Sequence, residues 1–144
     1  MNWLKQLFEP APTSSTDNTL DLHRAAAALL MEVAHTDGKL DPREEARLIS
    51  AIERHWRLDH QEMLNIVDAL HQRLASATDL FEFTRPLREH WDPEQRVTLI
   101  EEMWFIAAAD GQVDAQEEYL IRRVSELLYV SHGDFIRAKL KAVK

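Results

Sequence analysis

Apolar positions recur along this chain at helical rather than alternating spacing. From Leu20 onward, Leu22, Ala25, Ala26, Leu29, Leu30 and Val33 fall at i, i+3, i+4, i+7, i+8 and i+11, one apolar face that ends near Gly38. Asp41-Pro42-Arg43-Glu44 then reads as a helix start: Asp41 caps, Pro42 suits the first helical position, and Glu44 stands where a capping box closes. The second helix should bury Leu48, Ile49, Ile52 and Trp56. A third opens at Asp59-His60-Gln61-Glu62 and turns Met63, Ile66, Val67, Leu70 and Leu74 inward. The segment around Phe81, Phe83 and Leu87 predicts a short fourth helix, disturbed by Pro86. Asp92-Pro93-Glu94-Gln95 starts a fifth, with Val97, Ile100, Met103, Trp104 and Ala107 or Ala108 inward, ended by Gly111. Asp114-Ala115-Gln116-Glu117 starts the sixth, burying Leu120, Ile121, Val124, Leu127 and Leu128. Ser131 to Asp134 starts a seventh that carries Phe135, Ile136 and Leu140. Trp91, just before a cap, is expected to be partly exposed.

The pattern repeats. HTDGKLDPREE (residues 35–45) and AADGQVDAQEE (residues 108–118) share Asp-Gly-x-(Leu/Val)-Asp-x-x-Glu-Glu at an offset of 73, and Leu58-Asp59-His60 matches Val130-Ser131-His132 at an offset of 72. Two copies at so long a period are too few for a solenoid. The expectation is an all-α fold of about seven helices, two pseudo-symmetric three-helix units in one compact domain. Residues 1–19 form an N-terminal segment and linker, and residues 20–142 the helical domain, with repeat one at 20–76 and repeat two at 92–142.

Composition narrows the functional classes. The 144 residues carry a formal charge of −8 and no cysteine, which argues against phosphate-backbone binding and removes disulfides and thiolate metal sites. No nucleic-acid partner is expected; cations or basic proteins suit such a surface. No apolar run reaches the ~20 residues a membrane span needs. MNWLKQLF places Trp3, Leu4, Leu7 and Phe8 at helical spacing beside Lys5, so residues 1–8 are either a peripheral membrane contact or a short segment docked on the domain. The seven histidines show no HExxH spacing. Paired acids such as Glu44 and Glu45 could do acid–base work, but no nucleophile with a recognisable base accompanies them, so a carboxylate-dependent enzyme ranks last.

The acidic repeat has two readings. In the first it is a helix connection only: Gly38 and Gly111 end one helix, Asp41 and Asp114 cap the next, Glu44 and Glu117 close the boxes, and Leu40 and Val113 plug the turn. That leaves Asp37 and Asp110 at the negative end of a helix dipole, and Glu45 and Glu118 beside a neighbouring glutamate. In the second reading the carboxylates hold a hard divalent cation, Ca²⁺ or Mg²⁺. With Asp37 at loop position 5, each copy reproduces the second half of an EF-hand loop, but Val33 and His35, or Ile106 and Ala108, occupy positions 1 and 3. Each copy is at most a half-site, completed by the other copy, backbone carbonyls or water.

DGKLDPREEARLI and DGQVDAQEEYLI, each following a helix that ends in small residues, resemble the TerB family of tellurite-resistance proteins over about residues 20–142. The resemblance implies an all-helical, non-enzymatic, cytoplasmic module in a stress-response setting, near the inner face of the membrane, that mediates protein interactions. It also implies Asp37, Asp41, Glu44, Asp110, Asp114 and Glu117 as cation ligands, with Glu45 and Glu118 as supporting carboxylates. Lys39 and Arg43 make the first copy less acidic, so a single site would favour the second. A metal-free helical adaptor for a basic partner is the alternative.

Overall fold

In a computed structural model the chain is described over residues 15–36, 40–73, 80–109 and 112–142, of which 15–19 and 71–73 are described by their backbone alone. Those residues form seven α-helices and no strand: α1 Ser15–His35, α2 Pro42–Trp56, α3 His60–Arg73, α4 Phe81–His90, α5 Pro93–Ala107, α6 Ala115–Leu127 and α7 His132–Ala142. The all-α expectation holds. The expectations that fall on residues 1–8, Asp37, Gly38, Leu74, Asp110 and Gly111 lie outside the described residues.

Helix starts follow the local sequence. Asp41, Asp92 and Asp114 each adopt an extended backbone and accept the N–H three residues on, while Glu44, Gln95 and Glu117 reach back to the cap's own N–H. Asp59 and Glu62 exchange the same two bonds, at 2.8 and 3.2 Å. Each box satisfies two donors that a helix start otherwise leaves open. Two helix ends also match. Arg57 and Tyr129 are left-handed, with φ of 55° and 59°. The residue after each, Leu58 or Val130, donates its N–H back to Glu53 or Ser125 at 3.0 Å. Both ends are Schellman turns built without glycine, and they stand 72 positions apart.

Helix α1 is the centre of the molecule. It packs against α2, α3, α4, α5 and α6, and α5 in turn packs on α7. Periodicity predicts one apolar face for α1, yet all of residues 25–34 are buried. The run Ala25–Ala28 explains this, since four consecutive methyl side chains let helices close in from several sides. Around it lie Phe83 and Leu87 of α4, Leu99, Ile100, Met103 and Trp104 of α5, and Ile121, Val124 and Phe135.

Some expected positions differ. Helix α1 begins at Ser15, five residues before its first apolar position. Helix α4 runs through Pro86 without a break. Leu99 is fully buried although it lies off the expected stripe, because α5 is wedged between α1 and α7. Leu48, Val97, Leu120, Leu127 and Ile136 are half-buried, and Leu140 is exposed. Trp91 is buried, against expectation, because Trp56 of α2 stacks on it with centroids 5.6 Å apart and planes 14° apart. No helix among the described residues is long and apolar enough to cross a membrane.

Candidate functional site

The carboxylates of the repeat occupy the first turns of α2 and α6. Asp41 Oδ1 accepts the Glu44 N–H at 2.8 Å, and Glu44 Oε1 accepts the Asp41 N–H at 3.2 Å. In the second copy the equivalent bonds are 2.8 and 3.1 Å. The N–H of Glu44 is the main influence holding the Asp41 carboxyl below the ordinary carboxylate range. The copies differ in depth: Glu44 is exposed, whereas Glu117 is buried at 5% exposure.

The extra glutamates have basic partners. Glu45 Oε2 lies 2.5 Å from His35 Nε2, while the Nδ1–H of the same ring donates to Met31 O at 2.9 Å. This ties the end of α1 to the start of α2, and it is an ion pair when the imidazole is protonated. Glu118 receives Arg122, one turn on, at 3.0 Å and Lys139 of α7 at 3.4 Å. Burial pushes the Glu118 carboxyl up, but these two cations outweigh it and hold it below the ordinary range. Arg122 was legible at i+4. Lys139 was not, being 21 residues away.

Glu44 and Glu117 meet at one feature. Both line a single cavity of about 390 Å³ between the two copies. Ala34, Leu40 and Leu48 wall it on one side and Phe105, Ile106 and Ala109 on the other, with Arg47 as the lining cation. Phe105 is 52% exposed. Nothing in the sequence singled out Phe105 or Arg47; a large aromatic off the apolar stripe of α5 was the available signal. Among the described residues, no three histidine, aspartate or glutamate side chains converge in a way that could hold a metal ion. Of the eight proposed ligands, Asp41 and Asp114 each spend an oxygen on a cap, Glu45 faces His35 and Glu118 faces Arg122 and Lys139, and Asp37 and Asp110 lie outside the described residues. Glu44 and Glu117 are the two that share a cavity. They fit a cation only as part of a shell completed by other oxygens, since Ca²⁺ takes about 6–8 and Mg²⁺ about 6.

Fold and site together define a small all-helical domain in which two acidic, capping-box helix starts face a common cavity. The chain belongs to the TerB family: the family model described as "Tellurite resistance protein TerB" matches residues 23–140. No curated protein and no solved structure shows a significant match to it.

Proposed function

We propose that this protein is a non-enzymatic interaction module, associated like its family with tellurite resistance, whose two acidic turns form one shared divalent-cation site. The observation that carries the reading is that Glu44 and Glu117, at equivalent positions of the two copies, line the same cavity. A half-site in each copy, inadequate alone, gains its second carboxylate from the other. A Ca²⁺ or Mg²⁺ ion there would draw the starts of α2 and α6 together and set the apolar rim around Phe105 that a protein partner meets. Asp41 and Asp114 shape the turns through their caps, and Glu45 and Glu118 brace them through His35, Arg122 and Lys139.

The test is a Ca²⁺ and Mg²⁺ titration followed by thermal midpoint, comparing the parent with a Glu44→Gln/Glu117→Gln variant. Glutamine offers its amide oxygen in place of the carboxylate oxygen that closes each box, so the variant folds but loses charge at the cavity. The parent should gain stability in proportion to ln(1 + [cation]/Kd), about 2.7 kcal/mol at a hundredfold excess over Kd and still rising beyond it, and the variant should not. A flat parent response at millimolar cation, or an equal response in the variant, refutes the site. The metal-free adaptor would then stand, supported by the net charge of −8.

A further inference from the structure

A second, larger cavity of about 590 Å³ opens elsewhere, where α1, α2, α5 and α7 meet. It shares no lining residue with the Glu44–Glu117 cavity. Its apolar part is the Trp56–Trp91 stack, with Pro93 and Val97 beside it, and His23 stands edge-on to Trp56 at 5.1 Å. Its polar lining includes three carboxylates: Glu94, Glu101 and Asp134.

Hydrogen-bond chemistry decides what such a lining wants. His23 Nδ1 lies 2.8 Å from Trp56 O, and a carbonyl can only accept, so Nδ1 carries the proton. Burial pushes the His23 pKa down, favouring the neutral ring, and the remaining nitrogen is then an acceptor. Gln95 Oε1 is spent accepting the Asp92 N–H at 3.0 Å, and its amide N–H groups remain as donors. Lys141 is bonded to Glu101 at 3.2 Å, and Arg137 to Asp134. Glu94 has no ion pair among the described residues. The cleft is therefore rich in acceptors, carries an uncompensated carboxylate, and has indole surface beside it.

We infer that this cleft binds an arginine side chain of a protein partner. A guanidinium supplies several coplanar donors to carboxylate and imidazole acceptors, and its flat, weakly hydrated face lies well against an indole. An ammonium offers a compact charge without the plane, and an anion would meet Glu94.

The experiment uses the full chain and three probes: acetyl-Gly-Arg-Gly-amide and its lysine and citrulline counterparts. Binding is read from the indole N–H resonances of Trp56 and Trp91 and the imidazole of His23. The arginine peptide should shift these resonances saturably, the lysine peptide should bind more weakly, and neutral citrulline should give no saturable shift. Glu94→Gln, an exposed change whose folding the thermal midpoint checks, should weaken the arginine peptide about two- to fivefold, the size of an exposed ion pair. Shifts that never saturate or spread over the acidic surface, equal binding of citrulline, or an unchanged Glu94→Gln variant would overturn the site. Lysine binding as tightly as arginine overturns the arginine assignment. None of these outcomes depends on cations, so failure here is distinct from failure of the cation site.

Discussion

Replacing Asp114 separates a capping residue from a metal ligand. In the folded protein Asp114 Oδ1 accepts the Glu117 N–H at 2.8 Å, at a position where Glu117 itself is buried. Alanine removes that acceptor and leaves a donor that water reaches poorly. Loss of a cap costs about 0.5–2 kcal/mol, and burial puts this one in the upper half, about 1–2 kcal/mol. For a chain of this size that is a fall of roughly 3–7 °C in Tm. Asparagine keeps the acceptor and loses only the charge near the helix N-terminus, worth about 0.3–1 kcal/mol. In cation-free buffer the order of Tm should therefore be parent, then Asp114→Asn, then Asp114→Ala, with the larger gap at the second step. The assay is thermal unfolding followed by circular dichroism, with chelator present. An alanine variant that melts with the asparagine variant would refute the capping account. If Asp114→Asn fell as far as alanine, charge rather than the hydrogen bond would be the main contribution.

Other consequences are as direct. Arg57 holds a left-handed backbone, which costs an L-residue roughly 1 kcal/mol, so Arg57→Gly should raise Tm by a few degrees; a fall would show that the side chain outweighs the backbone. Trp104 is fully buried and its Nε1 has no hydrogen-bond partner among the described residues. Trp104→Phe discards that donor while keeping most of the apolar volume, and chemical denaturation should find it within about 1–2 kcal/mol of the parent, against about 3–5 for Trp104→Ala. Glu102 of α5 lies 2.6 Å from His55 of α2, but burial outweighs the histidine and raises the Glu102 pKa. A carboxyl raised on folding favours the folded state most below its ordinary range, and that advantage is lost as pH rises through the folded pKa. The Tm of Glu102→Gln relative to the parent should therefore climb as pH rises above the ordinary carboxylate range of about 4, and a flat difference would contradict it. Asp41 has the opposite sign: its lowered pKa stabilises above the ordinary range and is lost in acid, so Asp41→Asn should flatten the acid side of the stability profile.

The acidic repeat first invites a metal reading because four of its carboxylates look unexplained: Asp37, Glu45, Asp110 and Glu118. Tertiary packing answers two of them, bringing His35 to Glu45 and Lys139 to Glu118. The interest moves to Glu44 and Glu117, which local capping explains and which nonetheless share a cavity. A residue can close a capping box with one oxygen and still present its charge to a cleft.

What the sequence by itself determined were features whose partners lie within a turn. Four capping boxes, each joining residues three apart, were legible because Asp, Pro and Glu or Gln at fixed offsets satisfy the same open N–H groups wherever they occur. The helices followed from apolar period, and so did most of the core: Ile49, Met63, Ile100, Met103 and Ile121 all lie inside as expected. The paired Schellman turns at Arg57 and Tyr129 had no glycine to announce them; their positive φ shows only in the structure. Tertiary structure alone decided which surfaces meet. A helical period says which residues share a face, not how many neighbours that helix will have. So the burial of residues 25–34 of α1 on every side comes from packing against five other helices, and the stacking of Trp56 on Trp91, the His55–Glu102 pair and the cavity between Glu44 and Glu117 join residues 35 to 73 apart. Such distances in sequence are fixed by the packing of whole helices, and no local pattern records them.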